Sequence, residues 1–297
     1  MPYSSEPLIK RRYIIIVLIL ALLICWIVGR TYEAAAAGKQ YEIPATEQEL
    51  KENFPYLAVT PLDQETEMAA PVDLNLSRIE DGYEIATEGQ FHLTGELRGT
   101  LVINAPEQNV HLFLDGVSII SKSGPAIHCQ GANKLVITLM PDTENTISDS
   151  GDYRADEEIE ACIYSECDMT INGTGRLIVN GYYKDAIRSK DIIKILGGNY
   201  TIKCKRTGIH GNDGVLVTGG SFLISSEKYG LKTTKSGAEG RGNMIISGGE
   251  FTIIAGRYAF VTTRANLLIY NCTVSERSVV NTYDVGGVTR VQEGCVQ

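Results

Sequence analysis

Lys184, Arg206, Lys228 and Arg257 stand 22, 22 and 29 residues apart, and Arg188, His210 and Lys232 recur at intervals of 22. Recurrence of one charge sign has a simple chemical use. If successive copies stack, the cations line up and can grip an anionic, repetitive polymer. Arg suits a carboxylate, because its planar guanidinium donates two parallel hydrogen bonds. Tyr229 and Tyr258, each directly after a member of the first set, would offer ring faces between the cations. Like charges about 5 Å apart repel by roughly 1–3 kcal/mol per pair, so such a ladder is easier to explain with an anion lying along it. The alternative is a solvated charged face, neutralised locally by Asp191, Asp213 and Glu227.

Side chains so far apart in sequence meet only if the chain folds as a repeat. Gly197-Gly198, Gly219-Gly220 and Gly248-Gly249 are each followed by an aromatic residue and an Ile: Tyr200/Ile202, Phe222/Ile224 and Phe251/Ile253. A second apolar mark recurs at Ile187, Ile209, Leu231 and Phe260, and its last interval is lengthened by a polar insertion around Ser236–Gly242. A fixed period of this size signals a solenoid whose units are stable only when stacked. Within a unit the apolar period is two, as in Ile193/Ile195, Val215/Val217 and Met244/Ile246, so the pieces are strands. The fold class expected is all-β: a right-handed parallel β-helix with coils of about 22 residues, over residues 80–275. Tyr200, Phe222 and Phe251 would form one inward column, and Ile187, Ile209, Leu231 and Phe260 another. The glycine pairs mark bends with φ > 0.

The segments ACIYSECDMTINGTGRLIVNG (161–181), AIRSKDIIKILGG (186–198) and GIHGNDGVLVTGG (208–220) resemble the bacterial calcium-dependent carbohydrate-binding domains with a pectate-lyase-like β-helix. The resemblance implies binding of plant cell-wall polysaccharide, polygalacturonate included, and bound calcium. It also implies calcium ligands at the Asp of an Asp-Gly-Ile repeat and at its neighbours in adjacent coils. That column reads Asp185, Thr207, Tyr229, Tyr258 here, with one carboxylate. Calcium takes six to eight oxygens, usually several of them carboxylate. Asp191 and Asp213 form a second column, as partial ligands or as acceptors for turn amides. The basic ladder would then take over the role of calcium in binding an acidic chain.

The first residues bear on the compartment. The uncharged run Tyr13–Gly29 follows Lys10, Arg11 and Arg12 and precedes Arg30. It reads as a transmembrane signal-anchor within residues 1–30, with the remainder outside by the positive-inside rule. A cleaved signal peptide is the alternative, with Ala34–Ala37 as peptidase substrate. Both export the chain to an extracellular, cell-surface location. Residues 31–79 read as a linker or stalk, with a short helix near 47–53 signalled by Thr46 and Glu49. Residues 276–297 lose the period and read as a cap or tail. The acid-rich stretch Asp142–Glu160 lacks EF-hand spacing and reads as a flexible surface insertion or a separate calcium loop.

The whole chain of 297 residues carries a formal charge of −9, which argues against a nucleic-acid partner. Cys129, Cys162, Cys167, Cys204, Cys272 and Cys295 lie beyond the apolar run, and the sequence does not choose among their pairings. A lyase would need a base such as Arg188, Arg206 or Lys232 beside calcium, and no carboxylate cluster stands near them. The reading is therefore a non-catalytic, membrane-anchored binder of acidic polysaccharide. A polysaccharide lyase and a structural or adhesive surface solenoid are the alternatives.

Overall fold

The computed structural model describes residues 42–44, 46–153, 159–235 and 240–297. From residue 72 onward the chain winds through 23 strands, joined by parallel pairings between each coil and the next. Three faces result. Face A contains Ala161–Ser165, Asp185–Ser189, Thr207–Gly211, Tyr229–Thr233, Tyr258–Thr262 and Asn281–Val285. Face B contains Met169–Gly173, Ile192–Ile195, Gly214–Val217, Met244–Ile246 and Leu267–Ile269, and face C contains Arg176–Gly181, Asn199–Cys204, Ser221–Ser226 and Glu250–Ala255. The earlier coils use long strands that run through several faces, such as Thr100–Ile120 and Ile127–Leu139. They carry no Gly-Gly signal, so the solenoid begins earlier in the chain than the period reveals.

Strand alternation points every second side chain inward. On face A, Ile187 pairs with Ile209, Ile209 with Leu231 and Leu231 with Phe260. On face C, Tyr200, Phe222 and Phe251 stack with centroid separations of 4.7 and 4.4 Å and interplanar angles of 3° and 5°. Each is nearly or wholly buried, and complete burial of such a side chain contributes about 1.5–3 kcal/mol. Gly220, at φ 110°, makes the turn into face C, and a Cβ there would lie 2.9 Å from the Gly198 carbonyl oxygen. Only glycine meets both conditions.

Two segments differ from expectation. The described part of the expected stalk is no free spacer: Pro44 and residues 46–66 lie across the outside of face B. Helix α1 (Glu47–Asn53) forms where the capping signal placed it, with Thr46 Oγ1 accepting the Glu49 amide at 3.2 Å. After it, Phe54 and Leu57 are fully buried, and Asn243 Nδ2 donates to Tyr56 Oη at 2.7 Å. A second short helix, α2 (Pro61–Gln64), delivers Asp63 into the sheet surface. There its carboxylate pairs with Lys134 and with Lys194, the latter at 3.1 Å, and accepts from Thr170 Oγ1 at 2.5 Å. This strap explains why outward residues of face B, including Leu216, Ile245 and Leu268, are as buried as the interior. The expected tail is likewise part of the solenoid. Thr273–Ser278, Asn281–Val285 and Thr289–Val291 pair in register with the preceding coil; Asn271-Cys272 stands where Gly248-Gly249 precedes the face C strand of the coil before, and this hides the period.

The apolar run Tyr13–Gly29 lies outside the described residues, and among the described residues no helix is long and apolar enough to cross a membrane.

Near the first coils, His92 bridges two carboxylates. Its Nδ1 lies 2.8 Å from Asp73 Oδ1 and its Nε2 lies 2.9 Å from Asp115 Oδ2. The hydrogen bonds to Asp115 and Asp73 raise its pKa above the ordinary histidine value. A raised folded-state pKa gives stability that is complete below the unfolded pKa and is lost as pH rises through the folded one. The urea midpoint of the wild type should therefore exceed that of His92→Gln at pH 5.5 by more than at pH 9; a pH-independent gap would refute the bridge.

Candidate functional site

The basic residues do stand in step. The Arg206 amide donates to the Lys184 carbonyl at 2.8 Å, Tyr229 to Arg206 at 2.8 Å, and Arg257 to Lys228 at 2.8 Å. On the adjoining outward row of face A, His128 pairs with Tyr164, Tyr164 with Arg188, Arg188 with His210 and His210 with Lys232. Register thus places all seven predicted basic groups on one edge of the solenoid.

Their charges are not equally available. Glu160, at the end of the acid-rich stretch, accepts from Lys184 Nζ at 2.8 Å, from Arg206 Nη2 at 2.7 Å and from Arg188. Burial opposes its ionisation, but the Arg206 and Lys184 hydrogen bonds hold its pKa at about 2. Asp185 is wholly buried. It accepts from Arg206 Nε at 2.7 Å and Nη2 at 2.8 Å and from His210 Nδ1 at 2.9 Å. Burial would raise its pKa too, yet Arg206 and His210 hold it far below the carboxylate range. Burial lowers the pKa of His210, so the ring is neutral near pH 7. Two carboxylates therefore compensate the half of the ladder formed by Lys184, Arg188, Arg206 and His210.

The other half is open. Among the described residues Lys228, Lys232 and Arg257 make no ion pair, and Lys228 and Arg257 are exposed. Tyr229 and Tyr258 lie side by side along the axis, with centroids 6.3 Å apart and planes within 13°. Lys232 Nζ sits over the Tyr229 ring at 5.0 Å, and burial lowers its pKa. Arg257 Nη1 approaches Tyr229 Oη at 3.5 Å. The continuous strip expected from sequence is thus a shorter patch of three cations flanking two parallel phenol rings. Sequence reasoning missed Glu160 because it stands 24 residues before Lys184 rather than 22 and carries the opposite charge, although the pairing of Ala161 with Asp185 puts it at the head of the Lys184 column.

The acidic stretch is not simply a flexible insertion. Glu144–Ser148 is a strand, and Asp149 is buried, accepting from the Tyr182 amide at 2.7 Å and from Tyr153 Oη at 3.0 Å. Residues 154–158 lie outside the described set.

The three predicted metal ligands do not come together. Both oxygens of Asp185 are engaged by Arg206. Asp213 is held by Arg241 at 2.7 Å and Lys235 at 3.5 Å. Asp191 is half-buried, and burial with the nearby charges of Asp168 and Asp213 raises its pKa. Asp168 Oδ1, one coil before Asp191, accepts the Ile192 amide at 3.2 Å. Among the described residues no group of three or more His, Cys, Asp or Glu side chains is arranged to hold a metal. The donor set does not fit calcium.

Comparison with known proteins agrees with this architecture. The family model described as carbohydrate-binding domain-containing protein matches residues 80–284. This chain belongs to that family. A carbohydrate-binding domain-containing protein of Acetivibrio thermocellus is 33% identical over 134 residues, covering 43% of this chain and 47% of its own length. The chain thus spans about half the length of the curated relative it matches. A solved structure, that of the polysaccharide lyase-like protein from C. thermocellum as a gadolinium derivative, superposes with a TM-score of 0.71 at 30% identity. That alignment covers 73% of this chain and 89% of the other.

Proposed function

We propose that this carbohydrate-binding protein recognises an acidic polysaccharide, such as polygalacturonate, on the patch formed by Lys228, Tyr229, Lys232, Arg257 and Tyr258. The observation that carries the reading is the pair of parallel tyrosines set among cations that have no ion-pair partner among the described residues. Ring faces can cover the apolar faces of sugars, while Arg257 can take a carboxylate through two hydrogen bonds. On this reading the patch cations do the work that the family resemblance gives to calcium.

Binding occurs without catalysis. A lyase base must shed its proton; burial opposes the charge of Arg206, but the hydrogen bonds it donates to Asp185 and Glu160 raise its pKa further. Arg188 is tied to Glu160. The apolar run Tyr13–Gly29 anchors the protein to a membrane and presents the solenoid outside the cell. Affinity electrophoresis of the full chain tests the reading: polygalacturonate should retard it and a neutral glucan should not. Equal retardation by both, or accumulation of unsaturated product from polygalacturonate, would overturn it.

Glu160→Gln gives a less obvious expectation. It removes the charge that compensates Lys184 and Arg188, while Asp185 still holds Arg206, and so frees two more cations on one further coil. Affinity for polygalacturonate at low salt should rise, with a steeper decline as salt is added. Unchanged or weaker binding by a folded variant would show that the patch does not extend in that direction.

A further inference from the structure

Cys129 ends the face A strand of its coil and points into the interior; Ser165 is its partner in the next coil. Two residues after Ser165 the chain turns toward face B, and Cys167 points back into the same corner. The two Sγ atoms lie 3.4 Å apart across 38 residues of sequence, and both side chains are buried. Local bonds fix the corner: Ser165 Oγ donates to the Cys167 carbonyl at 2.9 Å, and Ser189 Oγ donates to the same oxygen at 2.7 Å. The Glu166 amide donates to the Cys129 carbonyl at 2.9 Å. The backbone on either side of the thiols is therefore already ordered for a bond between them.

We propose that Cys129 and Cys167 form a redox-active pair that closes to an intramolecular disulfide in the presence of a disulfide oxidant such as oxidised glutathione. The thiol–thiol hydrogen bond lowers the pKa of Cys167, which makes it the attacking sulfur. Its thiolate attacks one sulfur of the oxidant, whose S–S bond breaks to release one glutathione thiolate and leave a mixed disulfide. The Cys129 thiolate then attacks Cys167 Sγ and expels the second glutathione. Two protein thiols are oxidised, one disulfide is reduced, and the two protons lost end on the two glutathiones.

The position gives the bond a consequence. The loop it closes runs from Gln130 to Glu166 and includes Glu160, the carboxylate that compensates half of the basic ladder. Closing it ties the coil carrying Glu160 to the one beneath it and lowers the entropy of the unfolded chain.

The test uses the full chain, held in mild detergent and refolded in buffers of stepped oxidised-to-reduced glutathione ratio. Free thiols are then blocked by alkylation at acid pH and peptides are mapped by mass. The expected product is a linked peptide pair containing Cys129 and Cys167, lighter by two hydrogens than the reduced pair, with a thermal midpoint higher by about 5–10 °C. Cys129→Ala should abolish both the link and the oxidant-dependent gain. Alkylation of both cysteines at every ratio, or linkage of either to Cys162, Cys204, Cys272 or Cys295, would overturn the proposal, and mapping of the wild type decides it even where the variant fails to fold.

Discussion

Asp63→Ala is expected to destabilise the protein by about 3–5 kcal/mol, the cost of removing one partner from a buried ion pair. The Asp63 carboxylate has no solvent exposure, and the Lys134 and Lys194 side chains beside it are only 10% and 4% exposed. With the acid gone, two ammonium groups face each other under the strap. Lys194 would keep the Ala58 carbonyl at 2.5 Å, and Asn172 Nδ2 would keep the Asp63 and Glu65 carbonyls at 2.8 Å each. These neutral acceptors do not cancel two charges. Burial already lowers the pKa of Lys194, with Lys134 adding to the effect, so the variant should recover part of its loss at high pH, where a lysine can deprotonate. Urea denaturation followed by circular dichroism measures this. A loss below about 1 kcal/mol, the range of exposed ion pairs, would mean that the strap is not fastened through Asp63.

The second large effect concerns the ligand. Lys228→Glu with Arg257→Glu reverses two exposed charges on either side of Tyr229 while leaving the buried Asp185–Arg206–His210 group intact. Affinity for polygalacturonate should fall by at least about tenfold, equivalent to about 1.4 kcal/mol, and stability should change little because both side chains are exposed. Retardation by polygalacturonate equal to that of the wild type would remove the patch from the binding surface. Lys184→Glu is the contrasting variant: Lys184 already serves Glu160, so the same charge reversal there should cost stability before it costs affinity.

These expectations rest on features that were unequally visible in the amino-acid order. Register was legible, because the inward columns through Ile187, Ile209 and Leu231 and through Tyr200, Phe222 and Phe251 repeat at the length of one coil, and packing admits only that alignment. The placement of the basic residues on one edge followed from it. Their charge state did not. Glu160 reaches Arg206 from 46 residues away, two coils along the solenoid, and Asp185 sits in the column that family resemblance assigned to calcium. The geometry gives that carboxylate a guanidinium and an imidazole as partners. The strap was equally hidden. Asp63 and Lys194 are separated by 131 residues, and a short helix followed by prolines looks the same in sequence whether it trails in solvent or covers a sheet. Burial of outward residues such as Leu216, Ile245 and Leu268 was the available clue, since an exposed face B would not carry three large aliphatic side chains in a row.

On the proposed function, lysine and arginine side chains of the patch hold an acidic glycan without a divalent ion. Isothermal titration of the full chain with a galacturonate oligomer, in EDTA and again in excess calcium, tests it most directly. Equal affinity in the two buffers is expected, with weaker binding as sodium chloride rises. Binding that vanishes in EDTA and returns with calcium would contradict it.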